Sequence, residues 1–169
     1  MIHSLPRSPA ELADLTSLIL GNHRQLLGRD LLQNSPLSAH SVEALFFAPR
    51  VVLAAFGPFG NDHAFVYANA LALDLFESTW DELVGQPSST SAEPVHRDER
   101  RRLLDEVGRR GFIEDYSGIR ISRRGRRFRI CQATVFNLLD PAGAYLGQAA
   151  TFAQWEPCTP DGLSGASPL

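Results

Sequence analysis

Lysine is absent from this 169-residue chain, methionine occurs once and cysteine twice. Each scarcity excludes something. Cys131 and Cys158 have neither ligand-type spacing nor the numbers for a disulfide framework, which fits a reducing compartment. No segment approaches the roughly 20 consecutive apolar residues that a membrane-spanning helix needs. The N-terminal MIHSLPRSPAEL lacks the charged-then-apolar order of a secretion signal, so a cytoplasmic location without a membrane partner is expected. All 16 strong bases are arginines, and against 19 acids they leave a net charge of −3, an unremarkable balance. An apolar fraction of 44% suffices for one ordinary core, so a single globular unit is expected.

Ser8-Pro9-Ala10-Glu11 has the form of a helix start, and Leu15, Leu18, Ile19, Asn22 and Leu26 follow at helical spacing, predicting a helix over 9–27. A second helix is predicted over about 38–47, ended by Pro49. VVLAAFG and HAFVYAN flank the turn-rich GPFGND and read as a hairpin. Asn69 caps a following helix, Thr79-Trp80-Asp81-Glu82 is a capping box, and QPSSTSAEP is a loop by composition. After a helix over 95–110 come three long strands, FIEDYSGIRIS, RFRICQATVFNLL and AYLGQAATFAQW, joined through Gly125 and through Asp140-Pro141-Ala142-Gly143. The middle strand is apolar at both parities, with Phe128, Ile130 and Phe136 on one face and Ala133, Val135 and Leu139 on the other. Its back therefore needs a cover, and the N-terminal helix, from this chain or a partner, is the candidate.

The expected class is α+β: a five-stranded antiparallel sheet with short helices on one face and an N-terminal helical extension. The expected division is an extension over 1–48, a domain over 49–156 and a disordered tail over 157–169.

YANALALDLFESTWDELVGQP and EPVHRDERRRLLDEV resemble the central stretches of a PAS domain. More closely, EALFFAPRVVL, SAEPVHRDERRRLL, GFIEDYSGIRISRRGRRFRICQATVFNLLD and GQAATFAQW resemble the MEKHLA domain, a PAS-like family, and cover most of 24–155. The resemblance implies a PAS-like fold and a role in sensing or regulated protein association. It implies no enzyme activity and leaves any cofactor unknown. The light-sensing PAS branch forms an adduct on a cysteine after the short helices, and this sequence has none there.

His96, between Glu93 and Glu99, poses the choice between a ligand cluster and an ordinary helix start. One histidine with two carboxylates falls short of a usual zinc set. The surrounding charges suit a helix, with acids in the first turn, Arg109 and Arg110 in the last, and Asp98–Arg102, Asp105–Arg109 and Glu106–Arg110 at i,i+4. Gln132 and Thr134 share strand parity with Phe128, Ile130 and Phe136, which would point two polar groups into an apolar space. Gln148 lies in the last strand, where a flavin-binding PAS domain also has a glutamine. Tyr67, Trp80, Asp115 and Tyr116 are expected to rim the same space, although Asp115 could instead pair with Arg120 or Arg129. The candidate ligand-contacting set is thus Tyr67, Trp80, His96, Asp115, Tyr116, Gln132, Thr134 and Gln148, with no metal site. Twelve of the arginines fall between Arg97 and Arg129, but six acids offset them and no DNA-binding motif accompanies them, which argues against nucleic acid.

The favoured reading is a non-catalytic sensory or regulatory module that binds a small ligand, a protein partner or both. It would form a homodimer and act through a separate effector. The alternative is a small cavity enzyme, of isomerase or hydratase type, using Asp115 and His96.

Overall fold

Leu12, Thr16, Ile19, Leu20, Asn22 and His23 recur at helical spacing, and they are the residues that helix α1 (Pro9–Leu27) buries. The computed structural model describes residues 9–32 and 41–158. The predicted cap at Ser8, residues 38–40 of the second helix and the tail from 159 onward lie outside the described residues. Helix α2 covers Ser41–Phe46. Strands β1 (Val51–Phe56) and β2 (Ala64–Ala68) form the expected hairpin.

Short helices α3 (Ala70–Leu75) and α4 (Trp80–Leu83) follow, the second opened by the Thr79/Glu82 capping box. The stretch expected to be wholly loop contains a 3-10 turn, Ser88–Ser91, and α5 runs from Pro94 to Arg110 with proline in its first turn. Strands β3 (Phe112–Ile121), β4 (Arg127–Leu139), β5 (Tyr145–Phe152) and β6 (Gln154–Pro157) complete the chain. The sheet has six strands rather than five, because the last predicted strand breaks at Ala153 into β5 and β6, both paired with β4. The order is β2-β1-β5-β4-β3, antiparallel throughout. Among the described residues, no helix is long and apolar enough to cross a membrane.

Both faces of this sheet are covered. On the front, Val51, Leu53, Phe128, Ile130 and Phe152 pack under α3 and its neighbours, and Val135 packs against Leu103 and Val107 of α5. On the back, Val52, Ala54, Phe136, Leu138 and Ala149 meet Leu12, Ile19 and Leu20 of α1 and Leu45 of α2. The cover that the two-sided β4 demanded is α1 of the same chain. Each fully buried aliphatic side chain contributes about 1.5–3 kcal/mol, so α1 is held by packing. Asn22 adds a polar tie, donating to the Leu139 carbonyl (3.0 Å) and accepting from its amide (3.1 Å).

The simple alternation expected for β4 fails at one residue. Gln132 has φ 51° and Asp115, on the neighbouring β3, has φ 57°. Each strand carries one extra residue there: Ile113 pairs with Val135, Tyr116 with Ala133, and Gly118 with Ile130. Two bulges therefore offset each other, restoring the register while switching the facing of the residues beyond. Phe128 and Ile130 continue on the front as Ala133 and Val135, whereas Thr134 and Phe136 turn to the back.

Asn69 ties the front helices to the sheet. Its carboxamide Oδ1 accepts from the amides of Val52 (3.0 Å) and Ala72 (3.1 Å), and its Nδ2 donates to the carbonyls of Arg50 (2.7 Å) and Leu45 (3.3 Å). The residue has no exposed surface. Asn69→Ala removes a helix cap and strands buried peptide groups, so it should cost about 2–4 kcal/mol in urea unfolding. A loss below about 0.5 kcal/mol would show that the node is dispensable.

His23 gives α1 a pH-dependent hold. Burial lowers its pKa from the ordinary 6.5, although its Nδ1 bond to the Arg29 carbonyl (3.0 Å) opposes the shift, and the ring lies edge-on to Phe136. The unfolded chain therefore takes a proton near pH 6.5 that the folded chain refuses, and stability should fall as pH drops from 7.5 towards 5.5. Urea midpoints across that range should show the loss, and His23→Phe should flatten it.

Candidate functional site

Between the front of the sheet and the helices lies a cavity of about 80 Å³. Its apolar wall comes from residues already fixed by the sheet, including Leu53, Ile130, Val135, Ala150 and Phe152. Its polar lining is small: His63, Ser88, Ser91, Arg100, Tyr116, Arg120 and Gln148. A more polar outer pocket of about 290 Å³, reaching Asp62, Arg97, Arg101 and Tyr145, shares His63, Arg100, Leu104 and Gln148 with it.

The β3 bulge aims the first group of polar side chains. Beyond it, Tyr116, Gly118 and Arg120 share the front face. Arg120 Nη2 donates to Tyr116 Oη (3.1 Å), Nη1 donates to the Ile119 carbonyl (2.8 Å), and the guanidinium carbon lies 5.6 Å from the Tyr116 ring centre. A β-carbon at Gly118 would overlap Tyr116 Oη and approach Arg120 Nη1 to 3.1 Å. The glycine thus leaves the gap in which that pair meets.

Arg100, half-buried on α5, donates to Ser88 Oγ (2.7 Å). Burial first, then the charge of Arg120, pushes its guanidinium pKa down to about 10. Asp62 lies behind Ser88 and is engaged by the Ser89 amide (3.2 Å) and hydroxyl (2.5 Å). Burial raises the Asp62 pKa, but the Ser89 bonds and Arg100 outweigh it and hold the carboxyl below its usual range.

Gln148 Nε2 donates to the Leu104 carbonyl of α5 (2.8 Å) and to Asn137 Oδ1 (3.3 Å), while Asn137 Nδ2 donates to the Gly108 carbonyl (3.1 Å). These amides stitch α5 to β4 and β5 at the edge of the cavity. At the boundary with the outer pocket, His63 Nδ1 sits 2.7 Å from the Asn61 carbonyl and therefore carries the proton. Its Nε2 then accepts from the Tyr145 hydroxyl (2.8 Å). Burial, followed by the charge of Asp105, pushes the Tyr145 pKa up to about 12, so this donor stays protonated.

The eight candidate residues do not converge. Tyr116 and Gln148 line the cavity. Tyr67 is buried on the back face, its hydroxyl without a partner and its ring edge-on to Trp80 (5.7 Å between centres). Trp80 is half-buried at the start of α4. Thr134 faces the back opposite Thr151, and Gln132 is exposed, because the bulge breaks the parity that placed both with Ile130. Asp115 is exposed on β3 and makes no ion pair with Arg120 or Arg129 among the described residues; its neighbour Glu114 pairs with Arg29.

His96 sits in the first turn of α5 and does not line the cavity. Glu93 beside it is engaged by Arg127 Nε and by Nη2 (2.8 Å), which holds its carboxyl below the usual range. Among the described residues, no group of three His, Cys, Asp or Glu could hold a metal ion. The arginines do not form one stripe either: Arg100 and Arg120 turn inward, and Arg110 and Arg123 pair with Glu106 and Glu82. Sequence reasoning missed His63, Arg100, Arg120 and Asn137. The alternation Tyr116-x-Gly118-x-Arg120 was the available signal for one of them.

An antiparallel sheet with short helices and a cavity on one face, and its long helix beside that cavity, is the PAS-type fold. The chain belongs to the MEKHLA domain family, matching it over residues 13–157. Its structure is similar to the PAS domain of a protein from Colwellia psychrerythraea, with 11% identity and a TM-score of 0.57 over 64% of this chain and 88% of that one. It is also similar to a light-oxygen-voltage domain studied with a flavin analogue, with 19% identity and a TM-score of 0.54 over 71% and 85% of the two chains. The light-state dimer of the fungal blue-light photoreceptor Vivid gives 14% and 0.54 over 80% and 93%. No curated protein is significantly similar in sequence.

Gly118→Ala should crowd Tyr116 and Arg120 and destabilise the chain by about 1–3 kcal/mol in urea unfolding. An unchanged midpoint would mean that the Tyr116–Arg120 contact is not set by this gap.

Proposed function

We propose that this chain is a regulatory sensing module that holds a small ligand in the front cavity and reports it through the packing of α1 on the back. The observation that carries this reading is the sharing of strands by the two sites. On β4, Val135 faces the cavity and Phe136 faces α1; on β5, Ala150 and Ala149 do the same. Adjacent strand residues point to opposite faces, so a body pressing on Val135 or Ala150 moves the floor on which α1 rests.

The output surface in this reading is the groove beside α1, where Leu15, Leu18, Phe56 and Leu146 are half-exposed. A homodimer formed along it, and through it a separate effector protein, completes the mechanism. Vivid was observed as a dimer in its light state, which supports that use of the fold. Flavin photochemistry has less support: no cysteine lines the front cavity. The enzyme reading is not favoured, since Asp115 is exposed and neither it nor His96 lines that cavity.

Native mass spectrometry and an absorption spectrum of gently purified protein should reveal a bound mass lost on denaturation. Ligand removal should then speed hydrogen exchange along α1. A bare chain, whose α1 exchange no added metabolite alters, would end the proposal. Deletion of residues 1–30 should abolish dimerisation and lower solubility; if both survive, the relay through α1 is wrong.

A further inference from the structure

The front cavity holds two guanidinium groups, and among the described residues neither has a carboxylate within ion-pair distance. Arg120 is 8% exposed and uses two N–H groups, on the Ile119 carbonyl and on Tyr116 Oη. A guanidinium has five such donors. Arg100 uses one, on Ser88 Oγ; Asp62 lies behind that serine, beyond ion-pair distance, held by Ser88 and Ser89 and acting on Arg100 only through space. Elsewhere in the same region Arg110, Arg123 and Arg127 all find an acid. Of the arginines between Arg97 and Arg129, Arg100 and Arg120 are the two that line the cavity.

Burying a charge without its counter-charge costs several kcal/mol, and two like charges lining one small space repel. An anion entering that space relieves both penalties. Guanidinium groups favour planar, two-oxygen acceptors. The facing wall is aliphatic and aromatic, from Leu53, Ile130, Val135 and Phe152, so the rest of the ligand is apolar. Apolar protein cavities of about 150 Å³ accept a benzene-sized body. At about 80 Å³ this one takes a shorter chain.

We infer that the front cavity is a site for a short aliphatic monocarboxylate of roughly three to five carbons, bound by Arg120 and Arg100 with its chain against Ile130 and Val135. This deepens the reading of the cavity as a ligand site and rests on it. The shared boundary of the two pockets, at His63, Arg100, Leu104 and Gln148, is the route by which such an acid enters from the polar outer pocket.

The test is calorimetric titration of the full chain, with matched thermal unfolding, using sodium acetate, butanoate and octanoate. Butanamide and inorganic phosphate serve as controls at equal ionic strength. Butanoate should bind roughly tenfold or more tighter than acetate, octanoate, butanamide or phosphate. Arg120→Met should weaken butanoate about 30-fold or more without lowering the unfolding temperature of the ligand-free protein, because it removes an uncompensated buried charge. Should that variant fail to fold, Arg100→Met and the cavity-filling Ala150→Leu decide: both should abolish the preference for butanoate. If butanamide binds as well as butanoate, or phosphate binds better, the carboxylate assignment is overturned while the cavity remains a ligand site. If no probe binds and the purified chain carries no mass, the ligand-site reading falls with it.

Discussion

One carboxamide joins most of the parts. Asn69 has two lone-pair directions and two N–H groups, and the fold engages all of them: two backbone amides from β1 and α3, and two carbonyls from α2 and the loop before β1. Its own backbone amide then donates to Val52. A fully satisfied buried polar group is stable where a partly satisfied one is costly, so the four segments can sit in only one mutual arrangement. That arrangement sets α3 over the front of the sheet and α2 at its back, and the cavity and the α1 dock both follow from it.

The second constraint is the pair of bulges. A residue added to β3 alone would shift every later pair on β4, exchanging core and solvent faces to the end of the hairpin. The extra residue at Gln132 cancels the one at Asp115, so the pairing register is restored from Gly118–Ile130 onward while the facing stays switched along each strand beyond its own bulge. That switch has a chemical consequence. It places Tyr116 and Arg120 on the same face as Val135 and Ile113, facing inward, and leaves Asp115 outside. Asp115 itself, at the bulge, lies in solvent and makes no ion pair with Arg120 among the described residues.

This explains what was and was not legible in the residues. Helix starts written in local chemistry, at Asn69 and at Thr79–Glu82, can be read because their partners are three residues away. The demand for a cover on the sheet's back was readable from β4, since apolar residues at both parities exclude a wet face. The bulges were not readable, because neither Asp115 nor Gln132 is a glycine and only pairing between strands reveals the extra residue. Two of the misplaced candidates descend from that point: Gln132 and Thr134 were assigned by an alternation that stops at Gln132. Arg100 and Arg120 were hidden for a different reason. In a run of twelve arginines, the two that turn inward look like the rest, and only their three-dimensional placement at the cavity separates them.

A sheet covered on both faces is what the proposed relay requires. Close-packed interiors transmit displacement because no void absorbs it, and the front cavity is the gap in this one that two unneutralised cations line. In the proposed mechanism, filling that gap with an anion changes local charge and local packing together, on strands whose other face carries α1. The tie from Asn22 to Leu139 and the Gln148–Asn137–Gly108 chain bracket the same stretch of β4 from back and front. A movement of β4 must therefore be shared by α5 and α1. The polar stitches join these elements, and in the proposed mechanism an anion taken up by Arg100 and Arg120 is what would move them together.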